Sequence, residues 1–366
     1  MDHGTLNLAL ALLQPGSSNP ALHAANLRQV MTTPIELWHH PGMPETVSCP
    51  CGSAKPASRT IQARDADSGE AFTYLACPDC TLERLSPRPT AAEMGAYYPQ
   101  SYAPHVGAPP FGRADRLKRL IYDVFWAPDI AVPAAVRRIR PLLRLALAPV
   151  RHRSVLAFAA PGVHRVFEFG AAKATDLLAF RAAGWEVAGC EPSAQACALA
   201  ASQGVHLQQA TAETAILPDG TYGCILFNNV FEHVHDPVAV LEKCRRALVP
   251  DGILILIVPN HACATARLFG AAWPGYDAPR HIWGWTPAAI CRVFDAAHFK
   301  VEAIHQQATG AWMWRSTLDM RHAPGQPGLL RRFAARRLAP ALVPLGIGAT
   351  LFGSGDFIKV MARRIQ

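Results

Sequence analysis

The chain has 366 residues, and its 35 Lys and Arg against 27 Asp and Glu give it a net charge of +8. This length accommodates one large α/β domain and a small module. No apolar run reaches the ~20 residues that span a bilayer. The start, MDHGTLNLALALLQPG, has an early acid and lacks the basic flank of a secretory signal. These features predict a soluble cytoplasmic protein.

Two pairs of closely spaced cysteines are the first chemical signal along the chain. Cys49 and Cys51 stand in SCPCGSAKP, and Cys77 and Cys80 stand in ACPDC. Four thiolates satisfy tetrahedral Zn²⁺, and such knuckles stabilise a small unit that has little core. Because only one residue separates the first pair, either its chelate is tighter than usual or His40 takes the place of one cysteine. The alternative to a zinc site is a set of unrelated free cysteines.

The positive charge is concentrated in two segments. Residues 111–153 contain ten Lys or Arg against three Asp, interleaved with Leu, Ile, Phe and Trp, and LLRRFAARRLAPALVPLG repeats the mixture near the end of the chain. A basic amphipathic segment favours contact with an anionic membrane surface or an anionic substrate. The alternative is a linker helix that packs its apolar face on the domain and solvates its arginines. Nucleic acid is a weaker option, because no stacking motif or recognition helix accompanies the arginines.

The most informative segment is RVFEFGAAKATDLLAFRAAGWEVAGCEPS, which begins at Arg165. A short apolar run leads to Gly170 and a helix-patterned segment, and a second apolar run ends at Glu191. In a parallel sheet the loop after the first strand lets a ligand approach bare backbone. The acid about 20 residues on is placed to accept both hydroxyls of a ribose. This unit predicts a site for an adenosine cofactor.

The segments that follow complete a family pattern. HLQQATAE, ILPDGTYGCILFNNVFEHVHDP and LEKCRRALVPDGILILIVPN predict in turn a short strand, a buried strand, and a helix followed by a strongly apolar strand. In order and spacing, residues 150–307 resemble the class I S-adenosylmethionine-dependent methyltransferases. The resemblance implies an α/β fold with a Rossmann-like seven-stranded methyltransferase sheet whose last strand is antiparallel. It also implies S-adenosyl-L-methionine (SAM) as the cofactor.

Within that pattern the resemblance assigns seven positions to the cofactor site. Glu168, Gly170 and Ala172 would contact the methionine part of the cofactor, and Glu191 would contact its ribose. Ala212 and Glu213 would face the adenine, and Asn228 would lie near the sulfonium.

Two alanines depart from the family pattern, since Ala172 and Ala174 stand where glycines are usual. A positive φ at either alanine would cost about 1–2 kcal/mol, and a β-carbon pointing at the cofactor would block it. A Rossmann-like domain that has lost its cofactor is therefore the alternative. Glu168 and Glu191 argue against that alternative, because acids at strand ends in an apolar sheet are costly unless something hydrogen-bonds them.

The acceptor side is predicted on a loop after the fifth strand, in AAWPGYDAPRHIWGW. His281 on this loop is the best candidate for a general base, since an unperturbed pKa of about 6.5 suits removal of a proton at neutral pH. The alternative is that His281 only hydrogen-bonds a strand end and orders the loop. His233, which follows Glu232, is the second candidate and is better suited to shape the site than to move a proton.

Two further segments frame the domain. CTLERLSPRPTAAEMGAYYPQSY resembles the tail that links a zinc ribbon to a methyltransferase domain in many bacterial proteins, where the metal is structural. The resemblance implies the same role for the four cysteines. GDFIKVMARR near the end of the chain is predicted to pair antiparallel with the strand at 300–304. The roughly 50 residues between these two strands favour a substrate lid or docking surface.

The sequence therefore predicts a methyltransferase with a zinc-ribbon-like head. Its first predicted reaction is O-methyl transfer to a hydroxyl of a glycan or secondary metabolite. The alternatives are a C-methyltransferase of a nucleotide-linked sugar and a catalytically degenerate fold that acts as a binding partner. The predicted division of the chain is an N-terminal extension at 1–45, the cysteine module at 46–90, a basic helical linker at 91–153 and the methyltransferase domain at 154–366, with the lid insertion at about 308–355.

Overall fold

The structure is a computed structural model, and it describes residues 45–65, 68–98, 120, 124–125, 134–147, 162–307 and 354–365. All of these residues belong to one of the two compact units of the chain. The predicted N-terminal extension with His40, most of the basic linker and nearly all of the predicted lid lie outside the described residues.

The described residues contain ten strands and six α-helices. The strands are β1 (Arg59–Arg64), β2 (Ala71–Ala76), β3 (Glu83–Leu85), β4 (Arg165–Phe169), β5 (Glu186–Cys190), β6 (Tyr222–Asn228), β7 (Leu248–Pro259), β8 (Trp283–Gly284), β9 (Phe299–Gln307) and β10 (Phe357–Arg364). The α-helices are α1 (Ala134–Leu147), α2 (Thr175–Ala182), α3 (Ala194–Ser202), α4 (Pro237–Ala247), α5 (Ala264–Phe269) and α6 (Pro287–Ala296). Short 3₁₀ turns lie at Met94–Tyr97, Phe231–His233, Gly270–Ala272 and Pro274–Tyr276.

The larger sheet has the strand order β5-β4-β6-β7-β10-β9. The pairs among β5, β4, β6 and β7 are parallel, and β10 is antiparallel to both β7 and β9. A parallel bridge between Cys190 and Gln208 extends the sheet beyond β5, so the segment predicted as a short third strand is reduced to one bridge. The predicted Rossmann-like sheet with an antiparallel last strand is confirmed.

The larger sheet is buried on both faces, as its apolar runs predict. Along β6 the side chains alternate between two hydrophobic clusters: Ile225 and Phe227 pack in one, and Cys224 and Leu226 pack in the other. The helix after β6 begins where Asp236 accepts a hydrogen bond from the backbone N–H of Ala239, a standard N-cap. The carboxyl ends of the parallel strands β4, β5, β6 and β7 therefore lie at one edge of the sheet.

A second, antiparallel sheet joins the cysteine module to the rest of the protein. Its order is β1-β2-β3-β8, and β8 comes from the loop that follows α5. The buried Tyr74 and Leu85 of the module belong to the same hydrophobic cluster as Trp283 and Trp285. The module therefore shares its core with the larger sheet.

The junction between the two sheets contains a buried carboxylate. Glu83 is 2% exposed, and it accepts hydrogen bonds from the Tyr276 hydroxyl at 2.7 Å and from His261 Nδ1 at 2.9 Å, and pairs with Arg59. Burial alone would raise the pKa of Glu83, but the hydrogen bond and charge of His261, with smaller contributions from Tyr276 and Arg59, outweigh it and lower that pKa. A buried acid with these partners fixes how the two sheets meet.

The loop between β4 and α2 has a left-handed backbone at three residues. Gly170, Ala172 and Ala174 have φ values of 60°, 45° and 58°. A β-carbon added at Gly170 would lie 2.4 Å from Cγ2 of Val230, so a glycine is required there. The two alanines, which stand where the family pattern has glycines, therefore have positive φ. This conformation carries the steric cost of about 1–2 kcal/mol expected from the sequence.

Replacing Ala172 with glycine tests this strain. We expect Ala172→Gly to raise the free energy of unfolding by about 1 kcal/mol, because glycine accepts positive φ without a steric penalty. Ala179→Gly is the matched control: Ala179 is also half-buried but lies inside α2, where glycine should lower that free energy by about 1 kcal/mol. Chemical denaturation measures both variants, and a loss of stability in Ala172→Gly would contradict the strained conformation.

Candidate functional site

The acid at the end of the first parallel strand has an unused oxygen. Glu168 on β4 is 4% exposed, and its Oε2 atom has no hydrogen-bond partner among the described residues. Burial, and after it the charge of Asp176, raises the pKa of Glu168 well above its usual range, although the backbone N–H of Leu177 donates to the carboxyl. A buried polar atom of this kind is a candidate for a ligand contact.

The acid at the end of β5 contacts the loop after β4, as the cofactor pattern requires. Glu191 accepts hydrogen bonds from the backbone N–H of Ala172 and of Ser193, each at 2.9 Å. The carboxylate is 2% exposed. Glu191 therefore joins the two loops between which an adenosine would lie.

The predicted adenine loop is held by a lysine that the sequence did not single out. Lys243 on α4 donates to the carbonyl oxygens of Ala212, Glu213 and Ala215 at 2.9, 2.6 and 3.0 Å. Ala212 is buried and Glu213 is exposed. The Glu213 carboxylate accepts from the backbone N–H of His235 at 2.8 Å, so in this structure it orders the segment after β6.

Asn228 closes the other side of the same crevice. It ends β6, and its side-chain amide donates to Asp176 Oδ2 at 2.7 Å. Val230, two residues later, packs against Gly170. The predicted sulfonium position is thus directly joined to the helix and loop that follow β4.

The two predicted catalytic histidines lie together. The rings of His233 and His281 have centroids 4.7 Å apart and are nearly perpendicular. His233 Nδ1 is 2.8 Å from the carbonyl oxygen of Arg280 and 3.0 Å from the Tyr98 hydroxyl, and His281 Nδ1 is 2.7 Å from the carbonyl oxygen of Gly275. The loop predicted over the crevice therefore meets the segment after β6.

Burial lowers the pKa of both histidines, which favours the uncharged imidazole. Burial, and then the neighbouring His281, lowers the pKa of His233 to about 3. Burial also lowers the pKa of His281, although Asp277 opposes the shift. Each imidazole is thus present in the form that can accept a proton.

Glu232 is a site residue that the sequence reasoning noted only as a neighbour of His233. Its side chain is fully buried, and neither carboxylate oxygen has a hydrogen-bond partner among the described residues. Its Oε1 atom lies 3.9 Å from His281 Nε2. Burial raises the pKa of Glu232 to about 8. The sequence indicated Glu232 only as an acid directly before His233. Nothing in the sequence predicted that the side chain of Glu232 is buried.

The histidine loop is held from both sides. The Tyr74 hydroxyl of the cysteine module lies 2.6 Å from the carbonyl oxygen of His281 and 3.1 Å from that of Tyr276, and its one proton is shared between these two acceptors. Arg280 donates from Nε and Nη2 to the two carboxylate oxygens of Asp277 at 3.0 and 2.7 Å. The site therefore depends on contacts from the module as well as on the loop itself.

The four cysteines of the module form one cluster. Cys49 Sγ lies 3.3 Å from Cys51 Sγ and 3.5 Å from Cys80 Sγ, and Cys51 Sγ lies 3.7 Å from Cys77 Sγ. Sulfurs around a tetrahedral zinc with Zn–S bonds of about 2.3 Å would be roughly 3.8 Å apart. The short Cys-x-Cys pair thus contributes both sulfurs to the cluster. The sequence places the other six cysteines within core elements and so predicts that they are buried. This is wrong for Cys291, which is exposed, and for Cys197, which is half-buried.

Residues 137–304 match the family model described as "Methyltransferase domain". No curated protein matches the chain significantly.

The solved structures that the chain matches include three SAM-dependent methyltransferases. One from Thermotoga maritima, described as a possible histamine N-methyltransferase, is 17% identical with a TM-score of 0.40 and covers 66% of this chain and 97% of its own. Those from Mesorhizobium loti and Archaeoglobus fulgidus are 15% and 17% identical, cover 60% and 61% of this chain and 98% and 94% of their own, and have TM-scores of 0.40. The match to the family model covers just under half of the 366 residues of the chain.

Proposed function

We propose that this protein, a SAM-dependent methyltransferase by the domain at residues 137–304, transfers a methyl group to a hydroxyl of a glycan or secondary metabolite. The observation that supports a hydroxyl acceptor is the pair of neutral histidines, His233 and His281, beside the crevice. A hydroxyl must lose a proton when it is methylated, so a positioned base accelerates the transfer. The Nε2 atom of His281, which has no backbone hydrogen bond among the described residues, is placed to receive that proton, whereas a pKa of about 3 makes His233 a weak base that is better suited to shape the site.

The residues present fit SAM at the strand ends. Glu168 has a carboxyl oxygen without a partner among the described residues and would face the methionine part, and Glu191 would lie beside the ribose. Ala212 and Glu213 would face the adenine, and Asn228 would lie close to the sulfonium. When bound, SAM supplies an activated methyl group, and the protein contributes alignment and proximity.

Two alternatives use the same fold. A C-methyltransferase of a nucleotide-linked sugar would form a carbon–carbon bond, which carbon NMR of the product distinguishes from a methyl ether. A degenerate fold that serves as a binding partner would bind no SAM. The strained backbone at Ala172 and Ala174 supports the enzyme, because strain of this kind persists mainly at functional sites.

We also propose that the cysteine cluster holds a structural zinc ion. The four sulfurs fit the tetrahedral spacing, and a site with four thiolates leaves no open position for a reacting group. The ion would stabilise the module whose Tyr74 and Glu83 hold the histidine loop.

The amphipathic helix α1 supports a third proposal, contact with an anionic membrane. Leu142 and Leu145 are 71% and 79% exposed, and Arg137 and Arg138 on the same helix are exposed. Exposed apolar side chains next to arginines match a surface of anionic lipid by charge and polarity. Among the described residues no helix is long and apolar enough to cross a bilayer. A lipid-linked glycan acceptor and a peripheral position at the inner membrane face would suit this helix.

Isothermal calorimetry with SAM and with its demethylated product tests the cofactor site. We expect micromolar binding of both by the purified protein. Glu191→Ala should weaken binding at least about tenfold, because a hydrogen bond to a charged group contributes roughly 1.5–3 kcal/mol. Glu186→Ala is the control, since Glu186 is exposed at the other end of β5. If folded wild-type protein binds neither SAM nor its demethylated product, the result would favour the non-catalytic alternative.

Metal analysis tests the cysteine site. We expect the purified protein to contain zinc and Cys77→Ser to lose one equivalent of it. Since binding of a structural zinc contributes about 10–16 kcal/mol in small modules, this loss should unfold the module and lower Tm. Cys291→Ser removes an exposed thiol far from the cluster in sequence and should retain the zinc. Equal zinc in both variants would contradict the assignment.

Co-sedimentation with vesicles that contain phosphatidylserine tests the membrane contact. We expect binding at low salt that falls as salt is raised, because exposed charges are screened beyond about 10 Å at 0.1 M. Leu142→Asp with Leu145→Asp should abolish binding. Ile216→Asp is the control, since Ile216 is 75% exposed but lies outside α1. Wild-type binding that is independent of salt and of Leu142 and Leu145 would sink this proposal.

A further inference from the structure

Three side chains beside the crevice have the composition of a metal site. One ligand atom each from Glu232, His233 and His281 can be chosen so that all three lie within 4.8 Å of one another. They are separate from the cysteine cluster and are contributed by the segment after β6 and by the histidine loop. The set offers two nitrogens and one oxygen.

The hydrogen bonds of the histidines prepare the opposite ring nitrogens for coordination. His233 Nδ1 contacts the carbonyl oxygen of Arg280, and His281 Nδ1 contacts that of Gly275. A carbonyl oxygen can only accept, so each Nδ1 atom donates its proton. In a neutral imidazole this leaves Nε2 with a free lone pair. Histidines that bind metals generally donate their other N–H in this way.

Glu232 supplies the independent observation that a ligand belongs here. Its carboxylate is 0% exposed, and both oxygens lack a hydrogen-bond partner among the described residues. Burial of an unpaired carboxylate is costly. A cation between the carboxylate and the two Nε2 atoms would satisfy it. The neighbouring Arg280 does not fill this role, because its guanidinium donates to Asp277.

We propose that Glu232, His233 and His281 bind a divalent transition-metal ion. Two imidazoles and one carboxylate suit zinc, iron or manganese and leave coordination positions open. This inference rests on the proposed function and deepens it at the same site. The acceptor oxygen would bind an open position, where the ion would lower the pKa of its hydroxyl and the proton would pass to solvent water. Because both Nε2 atoms would then be ligands, the ion rather than an imidazole would promote loss of that proton.

Manganese binding followed by electron paramagnetic resonance tests the site in the full-length protein. Mn²⁺ prefers nitrogen and oxygen ligands over thiolates, so the cysteine cluster does not interfere. We expect wild-type protein to bind one Mn²⁺ ion per chain. Glu232→Gln and His281→Gln should each weaken binding by more than about tenfold. His235→Gln is the control, because His235 lies two residues from His233 but outside the cluster, and it should bind as the wild type does.

Circular dichroism shows whether each variant is folded. If a variant does not fold, the number of Mn²⁺ ions bound per chain of wild-type protein still tests the proposal. Absence of Mn²⁺ binding by folded wild-type protein would overturn the proposal, as would equal binding by folded Glu232→Gln. Calorimetry with SAM on the same samples distinguishes failure of the metal site from failure of the proposed function. Binding of SAM without Mn²⁺ would leave the proposed function standing, whereas loss of both would remove the function as well.

Discussion

The buried carboxylate of Glu83 joins the two parts of this protein. It lies on a strand of the cysteine module and accepts hydrogen bonds from His261, just after β7, and from Tyr276, at the start of the histidine loop. Because an unpaired carboxylate would be costly in this interior, these partners keep the loop in one position. Tyr74 shares its one hydroxyl proton between two carbonyl oxygens of the same loop. The cysteine module therefore helps to fix the position of His281.

Much of the larger sheet was predictable because local patterns determine it. Apolar runs predicted β4, β6 and β7. Gly170 after β4 and Glu191 after β5 predicted the position of the cofactor crevice. The alternation in the last segment predicted β10 and its antiparallel pairing with β9, which the register of Phe357 with Gln307 confirms. The sequence Pro250-Asp251-Gly252 is typical of a turn, whereas β7 continues through these residues, with Asp251 at a φ of 63° and an irregular register opposite β6. A turn motif can be absorbed into a strand when the neighbouring strand supplies the pairing.

The candidate site was predictable in its parts but not in its assembly. The histidines were found as single residues, and the structure brings them within one cluster because Ile282 donates its backbone N–H to the carbonyl oxygen of Glu232. Nothing in the local pattern of either segment specifies that contact. The burial of Glu232 and the role of Lys243 depend in the same way on packing between distant segments. The predicted cofactor and metal residues, as well as the domain boundaries, remain predictions.

The pairing of β3 with β8 has a consequence for synthesis of the protein. Glu83 pairs with Gly284, so the edge of β3 has no partner until roughly 200 further residues have left the ribosome, which takes about 10–40 s at bacterial rates of translation. An open strand edge is a template for pairing with other chains. The nascent module therefore passes through a period in which chaperones or rapid burial must protect it from aggregation, and the time of translation, rather than the stability of the finished fold, sets the length of that exposure.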